Sequence, residues 1–179
     1  MTKAERTPLE ELQEHLEMVV TVRSSMPLPD GFVFNGMEAF VLATGRAWTA
    51  KPRPANVRQM TPKYCFDNAY RLAARSRGRL RYVEGYATTY IPMHHAWTVD
   101  RDGNVVDPTW EYDADSRLGA DTPYFGTEFP LESVRAARAG GCYSVIDNWH
   151  QDFPVLRGII NYKSDQLDRY RAERRRANV

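Results

Sequence analysis

The chain has 179 residues, 42% hydrophobic and 12% aromatic, enough to bury the core of one compact domain. Its 24 lysines and arginines face 23 acidic residues; a formal charge of +1 argues against a nucleic-acid partner, although arginines crowd Arg169 to Arg176 and glutamates crowd the amino-terminal stretch. No segment approaches the ~20 apolar residues of a membrane span, and the Met-Thr-Lys-Ala-Glu-Arg start lacks the apolar centre of a secretory signal, so the reading is a soluble, cytoplasmic protein. Cys65 and Cys142 are too few for a disulfide framework and are expected to be thiols, a single bridge between them being the alternative.

Thr7 and Glu10 have capping-box spacing and Pro8 stands at a first helical position, so an amphipathic helix is predicted over residues 7–22, with Leu9, Leu12, Leu16, Val19 and Val20 on its apolar stripe. Pro27, Pro29 and Asp30-Gly31 break the pattern. A short helix follows over Met37 to Thr44, with Asn35 as cap and Gly45 as stop, burying Phe40, Val41 and Leu42. Residues 46–60 read as loop. Thr61-Pro62 opens a third helix, to about Ser76, that buries Cys65, Ala69, Leu72 and Ala73 and is closed by Gly78.

Beyond Leu80 the pattern becomes extended. Residues 80–90 are rich in aromatic and β-branched types, and His95 to Val99 and Asn104 to Asp107 flank Asp102-Gly103, a hairpin signal, so three antiparallel strands are predicted. Further elements are a strand over Tyr124 to Phe129, a helix over Pro130 to Ala139, a strand over Cys142 to Ile146, and a basic helical tail over residues 163–179. The whole reads as one α+β domain with its core at about residues 36–150 and no internal repeat.

The chemistry centres on Cys65. A cysteine on a helix face is most often inert core, but a position in the first turn changes this, because unpaired amides and the helix dipole stabilise the nucleophilic thiolate. His94 and His95 offer a base that can take the thiol proton and return it to a leaving group. Adjacent residues of a strand point to opposite faces, one inward and one to solvent, and the set His95, Trp97 and Val99 is apolar apart from the histidine, so His95 is the expected inward base and His94 the solvent-facing neighbour. Asp107 is the expected orienting carboxylate. It can reach only if the hairpin at Asp102-Gly103 is a type I turn with Gly103 as a left-handed bulge. That places His95 opposite Thr109 and Asp107 at a diagonal offset of two, roughly 7 Å between backbones; a two-residue turn puts Asp107 on the wrong face. The Cys65 amide and the Gln59 side chain, six residues earlier, are candidate donors to an oxyanion. Trp97, Trp110 and Tyr86 are candidate walls of a substrate cleft, each with core as the competing role. His94, His95, Asp107 and His150 could be assembled into a zinc site, but no HExxH or paired-cysteine spacing supports one, and no metal or other cofactor is expected.

In order along the chain, Cys65-Phe-Asp-Asn-Ala69, Tyr82-Val-Glu-Gly-Tyr86, His95-Ala-Trp97 and Gly103-Asn-Val-Val-Asp107-Pro-Thr-Trp110 resemble the transglutaminase-like branch of the papain-like cysteine protease superfamily. The motifs span 46 of 179 residues. The resemblance implies a catalytic cysteine on a helix packed against an antiparallel sheet, with Cys65 as nucleophile, His95 as base and Asp107 as orienting residue. Gln59 looks like the glutamine of papain-type proteases, which stands at the same interval before their cysteine; transglutaminases proper commonly use a tryptophan there, so the chain mixes features of the two groups. The function expected is a hydrolase or acyltransferase acting on an amide, peptide or isopeptide bond of a peptide or protein substrate through a thioester. The alternative is a catalytically inactive papain-like fold serving in binding or assembly.

Overall fold

A computed structural model describes residues 6–110 and 121–159. The described residues form an α+β unit of four α-helices and a five-stranded antiparallel sheet. No described helix is long and apolar enough to cross a membrane. The predicted tail at residues 163–179 lies outside the described residues.

Helix α1 (Pro8–Arg23) starts as its sequence requires: Thr7 Oγ1 accepts from the Glu10 amide at 3.3 Å, and the Glu10 carboxylate accepts from the Thr7 amide at 2.8 Å. Leu12 and Leu16 are its buried residues. Helix α2 (Met37–Thr44) has the predicted bounds but another cap. Gly36 is its N-cap, and the Asn35 side-chain amide instead donates to the Arg23 carbonyl at 2.8 Å, satisfying the end of α1; Leu42 is only half-buried.

Strand β1 (Arg46–Trp48) falls where loop is predicted. Three residues are too few to show an alternating pattern, and the strand exists because β5 (Tyr124–Phe129) pairs with it, Trp48 opposite Tyr124. Helix α3 (Cys65–Arg75) begins three residues after Pro62, because Lys63 adopts a left-handed φ of 70° and cannot continue a helix. Cys65 is therefore its first residue.

Strands β2 (Arg81–Thr88), β3 (Pro92–Val99) and β4 (Val105–Val106) follow, in the sheet order β1-β5-β2-β3-β4. The sheet curls until its two edges meet. Thr49, beyond β1, donates to the Gly103 carbonyl at 3.3 Å and accepts from the Val105 amide at 2.8 Å, a parallel bridge between the first and last strands. Closure gives the strands an inner and an outer face. Trp48, Val83, Ala87, Trp97, Val99, Val105 and Tyr124 cluster on the inside. Tyr82, Tyr86, Ala96, Phe125 and Phe129 pack outward under helical residues such as Leu12, Phe40, Ala69, Ala73 and Val134. With both faces covered, β2 is buried over Tyr82 to Ala87 and β3 over His95 to Val99 without the alternation of a half-exposed strand. Gly85 makes the curl possible. It pairs with both His95 and Gly126, and a Cβ on it would stand 2.3 Å from the Phe125 carbonyl oxygen and 2.4 Å from the Gly126 Cα.

Helix α4 (Leu131–Ala139) agrees with expectation. The strand predicted at Cys142 to Ile146 does not form. Its Val145 and Ile146 amides donate not to a neighbouring strand but to the Glu84 carboxylate, at 2.8 and 3.1 Å, and the segment bends around that side chain.

Candidate active site

The hairpin between β3 and β4 has the bulged form. Gly103 donates to the Asp100 carbonyl at 3.2 Å, Gly103 φ is 84°, and the Asp100 amide donates to the Asn104 carbonyl at 3.0 Å. The Asp100 carboxylate also accepts from the Asp102 and Asn104 amides at 3.0 and 2.8 Å, locking the turn through its side chain. Val99 lies opposite Val105 and Thr98 opposite Val106, the register that the bulged turn requires. Asp107 thus faces His95 diagonally, and its Oδ2 is 2.7 Å from His95 Nε2.

Around this pair the barrel interior is closely filled. His95 is only 2% exposed, and its ring stacks on that of Trp110 at 3.8 Å and 11°. Asp107 Oδ1 accepts from the Thr109 and Trp110 amides at 2.7 and 3.1 Å, and Oδ2 accepts from the Tyr124 hydroxyl at 3.1 Å. Four donors therefore converge on one carboxylate. Burial by itself pushes the His95 imidazole down, but the Asp107 charge and hydrogen bond reverse this, helped by Cys65, and carry it up to about 9. Asp107 thus favours the imidazolium form of His95 at neutral pH. With Nε2 occupied by Asp107, Nδ1 is the ring atom left for the thiol.

Cys65 reaches this ring from the amino end of α3, near enough that its charge and hydrogen bonding both raise the imidazole's proton affinity. The Cys65 thiol is half-buried and free; Cys142 is also free but buried, its sulfur donating to the Asp147 carbonyl at 3.0 Å. A side-chain clamp holds α3 in place. Asn68, one turn beyond Cys65, donates to the Thr61 carbonyl at 2.8 Å and to Thr109 Oγ1 at 3.0 Å, joining the nucleophile's helix to the Asp107 turn. Gln59 is half-buried in the preceding loop, where the neighbouring Met60 amide donates to the Pro108 carbonyl at 2.7 Å.

The candidate cleft walls divide. Trp110 lies on His95. Trp97 stacks with the His95 ring at 6.0 Å between centroids but is wholly buried inside the barrel, and Tyr86 faces the helices, its hydroxyl donating to Glu38 at 2.9 Å, so both are core residues. His94 is not solvent-facing either. Its ring packs against Phe66 and Tyr86 on the outer face, and burial, with the nearby His95 charge, drives it down to about 4. Among the described residues no three His, Cys, Asp or Glu side chains gather as a metal-binding group, and His150 instead stacks on Trp149 at 3.7 Å. A cavity of about 610 Å³ lined by Glu11, His15, Thr88, Tyr90 and Asp121 contains none of these residues.

Three contributors were not legible in the chain: Asn68, Thr109 and Tyr124. Asn68 and Thr109 lie inside the quoted motifs, where the polar residue three after the cysteine and two after the aspartate is the signal. Tyr124 carries none, since a tyrosine in a strand is ordinary core. No protein-family model, no curated protein and no solved structure matches the chain.

Proposed function

We propose that the protein is a cysteine-dependent hydrolase or acyltransferase with a papain-like, transglutaminase-like architecture, acting on an amide, peptide or isopeptide bond of a peptide or protein. The observation that carries the reading is a buried imidazole held by a carboxylate at 2.7 Å on one nitrogen, with a free thiol at a helix start beside it. Both cysteines are free, which fits a reducing, cytoplasmic setting.

In this reading the Cys65 thiolate attacks the substrate carbonyl carbon and forms a C–S bond. The carbonyl π electrons move to oxygen, which the Cys65 amide and the Gln59 side chain stabilise as donors. As the tetrahedral intermediate collapses the C–N bond breaks, and the His95 imidazolium gives its proton to the departing amine. His95, now neutral, then takes a proton from water or from an acceptor amine as that nucleophile attacks the thioester and releases Cys65. Asp107 keeps the ring oriented and stabilises its charged form throughout.

The test is labelling with a peptide vinyl-sulfone probe, located by mass spectrometry. Modification at Cys65 that Cys65→Ala abolishes and His95→Ala slows is expected. Modification at Cys142, or a Cys65 rate equal to that of a free cysteine and indifferent to His95→Ala, overturns the reading.

A further inference from the structure

Tyr124 belongs to β5, which is separated from β3 by β2, yet its hydroxyl reaches the carboxylate that holds His95. It donates at 3.1 Å to Asp107 Oδ2, the same oxygen that His95 Nε2 approaches at 2.7 Å. The other oxygen is spent on the Thr109 and Trp110 amides. Tyr124 is 5% exposed and Asp107 6%, so bulk water is excluded from the pair. The Tyr124 ring meets Trp97 edge-on at 5.1 Å between centroids, which fixes the direction of its hydroxyl.

Two donors on one oxygen do opposite things to His95. The tyrosine bond anchors the carboxylate to the far strand, which positions the imidazole. It also draws negative charge toward itself, which weakens the carboxylate's hold on the imidazole proton. We propose that Tyr124 is a positioning residue of the Cys65 site that moderates the proton affinity of His95 through Asp107. An Asp107 bound only by His95 and the turn amides would retain the imidazole proton too strongly. Returning that proton to a leaving amine would then be slower, because general acid catalysis works best when the acid's proton affinity is matched to the working pH. The catalytic meaning rests on the proposed function above; the proton-affinity effect itself belongs to the resting protein.

The two can therefore be tested apart. The His95 ring is titrated by NMR in a Cys65→Ala background, where the thiol no longer couples to it. Adding Tyr124→Phe, which keeps the ring and removes only the hydroxyl, is expected to move the His95 midpoint upward by roughly half a unit to one unit. Replacing tyrosine with 3-fluorotyrosine, a stronger donor, is expected to move it downward. An unchanged midpoint in both proteins, or a downward shift in Tyr124→Phe, overturns the inference, since loss of packing alone predicts no such pair of opposite shifts. In protein with Cys65 restored, the alkaline limb of probe labelling should follow the midpoint of each variant. A site that labels normally while neither variant moves His95 would defeat the role of Tyr124 and leave the proposed function standing; a protein inert to the probe whose His95 still shifts both ways would do the reverse.

Discussion

His94 and His95 are neighbours on one strand, His95 buried and His94 largely so, yet His95 is carried up to about 9 and His94 down to about 4. Each also has a buried carboxylate nearby. The difference is what that carboxylate has left to give. Asp107 approaches His95 to 2.7 Å in line with a ring nitrogen, whereas Glu84 is 3.9 Å from His94 Nε2, too far for a hydrogen bond. Glu84 is already occupied by the Tyr82 and Ser144 hydroxyls at 2.7 and 2.8 Å and by the Val145 and Ile146 amides at 2.8 and 3.1 Å. Burial opposes the charged form of both rings, and only a directed hydrogen bond to an anion offsets it. The inner face of β3 thus holds an imidazole whose charged form a carboxylate favours, while on the outer face of the sheet the Glu84 carboxylate of β2 fastens a loop.

The largest effect is expected from removing the inner carboxylate's charge. Asp107→Asn should let His95 fall from about 9 toward or below its ordinary 6.5 and slow Cys65 labelling at neutral pH by roughly 100-fold or more. NMR titration and labelling kinetics measure the two halves, and an unchanged midpoint would remove Asp107 from the site. On the outer face, Glu84→Ala strands two amides and two hydroxyls in a buried position. Urea unfolding should show a loss of roughly 3–5 kcal/mol; under 1 kcal/mol would mean that the 144–146 loop is held by something else.

The smallest effect concerns pH, and its sign differs between the two faces. His95 binds its proton more tightly folded than unfolded, so its contribution is fully present below pH 6.5 and is lost as pH rises through about 9. His94 binds more weakly folded than unfolded, so stability is lost as pH falls from 6.5 toward about 4. Each limb is worth at most about 3 kcal/mol. Stability should therefore be greatest near pH 6.5, with His94→Phe flattening the acid limb and Asp107→Asn the alkaline one. A wild-type curve that is flat on both sides would refute the opposed assignments.

How far these features were legible depends on the range of the forces that set them. The capping box at Thr7 and the turn at Gly103 were readable because each is closed within four or five residues. The turn then carried information further, since its register placed Asp107 beside His95. Alternation along β3 correctly separated His95 from His94 but implied a solvent-facing His94, because nothing local reveals that helices cover the outer face. The strand at Arg46–Trp48 and the bend at Cys142 to Ile146 were missed for a related reason. One is made by its partner β5 and the other by the Glu84 carboxylate, and both partners are distant in sequence.

By itself the sequence determined the start of α1, the position of the hairpin at Asp102-Gly103 and the candidacy of Cys65, His95 and Asp107, since these follow from short-range backbone hydrogen bonding and strand periodicity. Only the tertiary structure decided that the sheet closes on itself, that Trp97 and Tyr86 are core, and that Tyr124 shares the Asp107 oxygen with His95. Those outcomes depend on which surfaces exclude water and which donors meet across strands, and neither is a property of any one segment.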